Sequence, residues 1–475
     1  MDFTTIVDLL SRFAPLGLLI STTVILISIF SYHLYRKKGG TFIIKKKQFV
    51  SAFLILGWTG TMLGLTTLSR TANSIGIINL NFLGSYLDAW DYWSLREFQL
   101  IVFNILVFVP LGFLLPILSN KLRKFLPVLL ISFLTTVAIE VLQLITHRGV
   151  FDLDDIFHNT IGGIMGYFLI ICILKISAEK KITFVPLVKV FILPVLFTMI
   201  FSVAFIVYDA KELGNLALTP FVSQNMDNVT VIFEMDLTEE TTSVPLYKSD
   251  RIHNDSFAKK SAGILRDIYS LSQIRDFRQD YDYISALYSD KASNIYKFVY
   301  SPSNGSWNFH STTEEPLFDQ GKSELMSLKD SFEEWLFENS LLSEDATFII
   351  QYKNKLRWSI KTLFPLVEKH NFDSGYITIK PAASGDIPVD ISYSMHQNFY
   401  VRNIPIISQK EASTLILDGK FKVDTPLQDG DTLYVTSCTL IHIYDTKGFL
   451  IPVYQFGVRV NDNLWYTKIP AMDTN

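Results

Sequence analysis

The pattern of apolar and polar positions divides the chain near Asp209. Before it, six apolar runs lie at about 13–35, 49–68, 98–118, 125–146, 156–175 and 184–208. Each is long enough to cross a bilayer, which takes ~20 residues of helix. Charges gather between the runs. The first run is too long for a cleaved signal peptide and lacks a small-residue cleavage site. Prolines at 110, 116, 127 and 194 fall inside runs, where membrane helices tolerate them if neighbours re-satisfy the freed carbonyls.

After Asp209 the pattern is that of a soluble protein. Val229–Met235 alternates like a strand, Lys259–Tyr288 predicts a long helix rich in Tyr, Arg and Asp, and Ile295–Tyr300 returns to strand character. Two helix-plus-antiparallel-sheet units are expected next, at about 315–400 and 401–475. In the first, Lys322–Leu341 reads as an amphipathic helix before strands near Thr347–Tyr352, Leu356–Phe364, Tyr376–Lys380 and Val389–Met395. In the second, Ser408 and Glu411 form a capping box for a helix reaching about Leu417. Strands near Leu433–Asp445, Leu450–Val460 and Trp465–Ile469 follow. The expected fold is an all-α polytopic membrane domain of six transmembrane helices, residues 1–208, followed by an α+β extracellular domain, 209–475.

Positive charge sets the expected orientation. Arg36, Lys37, Lys38 and Lys45–Lys47 crowd the first connection, Lys121, Arg123 and Lys124 the third, and Lys175, Lys180 and Lys181 the fifth. The second and fourth carry only Arg70, Arg96 and Arg148, mixed with acids. Alternate loops are therefore read as cytoplasmic, with both termini and everything after Tyr208 outside.

Polar residues inside apolar runs need a reason, because a bilayer makes isolated polar groups costly. Asn104 lies in the third run, Glu140 and Gln143 in the fourth and Asn159 in the fifth. At 1.5 Å per residue all fall within roughly 9 Å of the same surface. A polar pocket open to the exterior is expected, rimmed by the loop 147–155. Asp155, Asn159, Gly162 and Gly166 recur at i, i+4, i+7 and i+11, one face of a helix. Asp155 is read as the cap of that helix, and Gly162 and Gly166 as a small-residue step that admits another backbone. Pro110 with Gly112 is read as a kink opening space beside Asn104. Arg148, with Asp152 and Asp155, reads either as loop organisation or as a clamp for an anionic head group. Asp152 and Asp154 also read as solvated loop charges, and His147 and His158 as membrane-interface residues.

Composition narrows the chemistry. The net charge of −4 conceals the asymmetry of the two halves, and no basic stripe with interleaved aromatics points to nucleic acid. Cys172 lies in an apolar run and Cys438 in the soluble part, so no disulfide is expected. There is no HExxH, CxxC or paired-histidine spacing, no phosphate-cradling glycine loop and no serine elbow. No metal site or cofactor is expected.

The same residues resemble the VanZ-like family. The resemblance rests on Asn104 with Phe108-Val109-Pro110-Leu111-Gly112, Glu140 with Gln143, Arg148-Gly149-Val150-Phe151-Asp152-Leu153-Asp154-Asp155, and Asn159-Thr160 with Gly162-Gly163 and Gly166. It covers roughly residues 49–176. It implies a bacterial multi-pass membrane protein of the cell envelope, in a family whose founding member is associated with resistance to the glycopeptide teicoplanin. A second resemblance, to PepSY- or YycI-type exported domains, lies near 405–470, in Ile407-Ser408, Lys410-Glu411-Ala412 and Leu450-Ile451-Pro452-Val453-Tyr454-Gln455-Phe456. It implies an interaction module without catalytic residues.

Three functions are consistent with this reading. One is a non-enzymatic envelope protein that holds a membrane lipid or amphiphilic molecule, with Arg148 on its anion and Asn104, Glu140, Gln143 and Asn159 orienting it. Its exported part would bind a membrane-protein or cell-wall partner. The second is a membrane-embedded enzyme using Glu140 or Asp155 as acid or base, for which no nucleophile is visible. The third is a sensor whose exported part binds the signal.

Overall fold

A computed structural model describes residues 3–68, 77–182, 184–220, 222–280, 282–313, 326, 328–351, 355–362, 369–381 and 388–472. The chain forms two compact units, Met1–Trp90 with Ser94–Ala210, and Asp91–Trp93 with Lys211–Asn475.

The first unit is helical. Its helices are α1 (Phe3–Lys37), α2 (Lys46–Leu63), the short α3 (Gly84–Asp91), α4 (Leu95–Leu118), α5 (Phe125–Thr146), α6 (Leu153–Glu179) and α7 (Phe184–Ala210). All but α3 are long and apolar enough to cross a membrane by length and composition, six among the described residues. Such a set belongs to a multi-pass membrane protein. α2 passes at its end into a π-helical turn, Gly64–Leu68, a feature often found at functional sites. α4 continues through Pro110 and Pro116. Two side chains of α2 donate to its backbone: Trp58 Nε1 to the Val107 carbonyl at 2.8 Å and Ser51 Oγ to that of Leu114 at 2.8 Å. Phe108, Leu111, Leu115, Val128, Ile139 and Tyr167 form the apolar core beneath them.

The second unit is β-rich. One sheet holds thirteen strands among the described residues. Its longest strand, Pro388–Ile406, pairs antiparallel with Phe372–Pro381 and Trp307–Ser311 along its first half and with Thr242–Ser249 along its second. Two apolar cores lie along it. The first gathers Trp307, Phe309, Trp358 and Ile391 under two helices, Asp255–Ile268 and Lys329–Glu338. The second gathers Leu246, Ile404, Val435 and Phe456 under the helix Gln409–Leu417. Ser408 Oγ caps that last helix by accepting from the Glu411 N–H at 3.1 Å.

The structure differs from the sequence expectations in several places. The helix expected over 259–288 stops at Ile268, where Ser270 takes a left-handed φ of 51°. Strands Ser272–Asp280 and Tyr283–Ser289 follow. The first is the last strand of the sheet's principal order. Edge strands carry charges that discourage pairing with other chains, and Arg275, Asp276 and Arg278 imitate an exposed helix. The division expected near residue 400 falls inside the strand Pro388–Ile406, and residues 258–309 also join the first core. The strands Thr242–Ser249 and Trp307–Ser311 were not anticipated. The expected positions 322–325, 327, 352 and 363–364 lie outside the described residues.

Buried polar groups interrupt the apolar packing along the long strand. Ser249 Oγ meets His396 Nδ1 at 3.2 Å, and Tyr444 donates to Asn398 Oδ1 at 2.6 Å, while Asn398 Nδ2 donates to Ser374 Oγ at 2.8 Å. His442 Nε2 lies 3.2 Å from the Pro245 carbonyl. Burial lowers both imidazoles to about 4; the Arg251 guanidinium adds to the effect at His396, and the Pro245 carbonyl opposes it at His442. The unfolded chain, titrating at the ordinary value of 6.5, takes up protons in this range while the folded one does not. Stability is therefore full above pH 6.5 and falls towards pH 4, by about 1.4 kcal/mol per pH unit for each histidine. Hydrogen exchange of the β-rich unit in the full chain should show this loss, and His396→Gln should remove part of it.

Candidate functional site

The site begins with glycine. α6 lies so close to α4 that a Cβ on Gly162 would strike the Ile105 carbonyl oxygen and one on Gly166 that of Val109. A Cβ on Gly112 would likewise strike the Gly163 carbonyl oxygen. Small residues allow this approach in membranes, where packing and hydrogen bonds, not exclusion from water, hold helices together. The approach brings polar side chains of the same helices together. Asn104 Nδ2 donates to Asp155 Oδ1 at 2.5 Å, joining α4 to α6. One turn further, Asn159 Nδ2 donates to Thr136 Oγ1 of α5 at 2.9 Å. Glu140 of α5, 1% exposed, accepts the Asp152 backbone N–H on Oε2 at 3.1 Å.

These groups surround a cavity of about 100 Å³. Asn104, Glu140, Gln143, Asp155 and Asn159 line it, so five of the seven sequence candidates for binding converge on one space. Met62, Leu65 and Thr66, from the end of α2 and its π turn, supply an apolar wall with Phe103 and Ile139. No lysine, arginine or histidine lines it among the described residues. Asn159 Oδ1 is buried and accepts no hydrogen bond from the described residues. Such an acceptor costs about 1–3 kcal/mol until a donor reaches it.

Arg148 and Asp152 stand outside this lining. The Arg148 guanidinium donates to the Thr67 carbonyl at 3.1 Å, tying the loop after α5 to the π turn. Asp152 caps α6: its Oδ1 accepts from the Asp154 N–H at 2.8 Å. Its Oδ2 accepts from Asn79 Nδ2 at 2.9 Å, beside a short parallel pairing of Ile78–Asn79 with Phe151–Asp152. The cap expected at Asp155 is thus at Asp152, because the helix begins at Leu153 and Asp155 already sits within its first turn, facing Asn104.

Asp154 and His158 are more than the surface groups the sequence suggested. Asp154 is fully buried and accepts from the Leu83 and Ser85 N–H groups at 2.6 and 2.8 Å. These donors stand at the start of α3, where the helix dipole favours a carboxylate. His158 Nε2 meets Tyr86 Oη of the same helix at 2.9 Å. The signal available in the sequence was the i, i+4 spacing of Asp154 and His158, which places them on one face.

Gly162→Val should separate α4 from α6, costing about 1–3 kcal/mol by overpacking or more if the backbones part. Gly263→Val, where a Cβ meets open space, should leave thermal unfolding of the helical unit unchanged. Thermal unfolding of the detergent-solubilised full chain measures both.

Part of the chain is similar to known proteins. Residues 49–176 match the model of the VanZ/LLP1 family. Protein VanZ of Enterococcus faecium is 24% identical over 135 residues, covering 28% of this chain and 82% of that protein. Among solved structures, the C-terminal domain of YpeB from Bacillus megaterium shows 14% identity, covering 47% of this chain and 95% of that one, with a TM-score of 0.22. An uncharacterized protein from Eubacterium rectale shows 10% identity, with 52% and 90% covered and a TM-score of 0.25. At such TM-scores neither structure bears on the fold. The helices that carry the cavity, residues 49–176, are a VanZ-like domain within a longer chain.

Proposed function

We propose that this chain is a cell-envelope protein of the bacterial membrane, with both termini outside, and that its cavity binds a polar group of an envelope molecule without transforming it. The observation that carries the reading is the convergence of Asn104, Glu140, Gln143, Asp155 and Asn159, from three helices, on one cavity with an unsatisfied acceptor. A cluster serving only to glue helices would satisfy its own members. The cavity lies near the start of α4, the end of α5 and the start of α6. Glu140 and Asn159 are each six residues from their helix ends, about 9 Å deep at 1.5 Å per residue. The positive charges of the opposite loops support an exterior location for that side. On this reading residues 211–475 are extracellular and available to a membrane-protein or cell-wall partner. The VanZ resemblance suggests the phenotype: altered susceptibility to teicoplanin-type glycopeptides.

Two experiments test this. In a deletion strain, Glu140→Gln and Asn159→Leu, expressed at the wild-type level, should fail to restore envelope and glycopeptide-sensitivity phenotypes. Full restoration by both removes the binding reading. For orientation, Asp462→Cys should be labelled by a membrane-impermeant thiol reagent on intact cells, and Lys38→Cys only after permeabilisation. Background from Cys438 should be small, because burial pushes its thiol up to about 12. The reverse labelling pattern refutes the topology.

A further inference from the structure

A groove of about 530 Å³ lies between the start of α2 and the end of α4, and shares no lining residue with the polar cavity. That volume falls within the range of ligand sites, roughly 300–1,000 Å³. Val50 and Leu54 of α2 face Phe113 and Ile117 of α4 across it. Two hydrogen bonds fix the helices that frame it. Ser51 Oγ donates to the Leu114 carbonyl at 2.8 Å, so the serine of the lining is satisfied within the wall. Gln48 Nε2 donates to the Leu118 carbonyl at 2.9 Å. The α2 wall runs from Lys46 to Leu54, about 12 Å at 1.5 Å per residue. That is most of one leaflet's hydrocarbon, about 15 Å. Lys46 and Lys47, both exposed in the first turn of α2, form the polar end of the groove.

We propose that this groove binds an anionic phospholipid, with its phosphate against Lys46 and Lys47 and one acyl chain between Val50, Leu54, Phe113 and Ile117. Charge decides the occupant. No acidic residue occurs between Asp8 and Asp88, or between Glu97 and Glu140. Lys45, Lys46 and Lys47 before and within the start of α2, and Lys121, Arg123 and Lys124 after α4, therefore have no acid in their own connections. Glu179, at the end of α6, pairs with Lys175. Among the described residues no ion pair engages Lys46 or Lys47. A lysine stem lies along apolar surface while its ammonium reaches the head-group level, where it attracts anionic lipids. The positive end of the α2 dipole favours the same charge. A zwitterionic head brings its own cation to the lysines and gains less. The apolar walls, on helices of membrane-spanning composition, select a hydrocarbon chain over a free phosphate.

The test places the purified full chain in phosphatidylcholine nanodiscs with photoreactive phosphatidylglycerol or photoreactive phosphatidylcholine, both carrying the same diazirine acyl chain. Crosslinks are mapped by peptide mass spectrometry. The phosphatidylglycerol probe should label Val50, Leu54, Phe113 or Ile117 about tenfold more than the phosphatidylcholine probe. Lys46→Gln combined with Lys47→Gln should remove that preference. Lys37→Gln combined with Lys38→Gln, an equal loss of charge outside the lining, should reduce it about twofold at most. Leu54→Trp fills the groove at an exposed position and should reduce labelling with both lysines in place. Val50→Trp serves the same purpose if the first variant unfolds. Equal labelling by the two probes overturns the anionic head. Equal losses from the two lysine pairs reveal a diffuse basic surface and overturn the site. Labelling that survives both tryptophan variants overturns the groove as the place of the chain.

Discussion

Backbone contact between α4 and α6 is the constraint on which the membrane unit's interior depends. It exists because Gly162 and Gly166 leave room for the carbonyls of Ile105 and Val109. Apolar side chains have little reason to prefer one another over lipid tails, so close packing and polar contacts set the geometry. The same approach puts Asn104 within hydrogen-bonding distance of Asp155. The glycines and the polar pair are thus one device: the first brings the helices together, and the second fixes their register.

The three acids at the start of α6 divide three tasks. Asp152 caps the helix, Asp154 gathers the Leu83 and Ser85 N–H groups, and Asp155 turns inward to Asn104. Each carboxylate has donors, as a weakly polar medium requires. Glu140 joins this arrangement through the Asp152 N–H, so the helix cap and the cavity wall share a hydrogen-bond network. Within it, Asn159 Oδ1 is buried and accepts no hydrogen bond from the described residues.

The β-rich unit solves a different problem. Its strand Pro388–Ile406 serves two apolar cores in succession. Of the polar groups on it, His396 meets Ser249 Oγ, and Asn398 is held between Ser374 of a neighbouring strand and Tyr444. Such a network fixes strand register more sharply than apolar contact alone, because a slipped strand would leave buried donors and acceptors unpaired.

The sequence by itself determined the six apolar helices, the change of character after residue 209 and most of the polar cluster. These follow from hydropathy and helical period, which need no knowledge of neighbours. It also marked Asp155, Asn159, Gly162 and Gly166 as one face. The strand Ser272–Asp280 was obscured because charge at a sheet edge looks like charge on an exposed helix. Only the tertiary structure decided which face met which partner. It moved the cap from Asp155 to Asp152, buried Asp154 against α3 and directed Arg148 to the Thr67 carbonyl. Those outcomes depend on contacts between residues some 70 to 80 positions apart, and a periodic pattern along one segment carries no information about them.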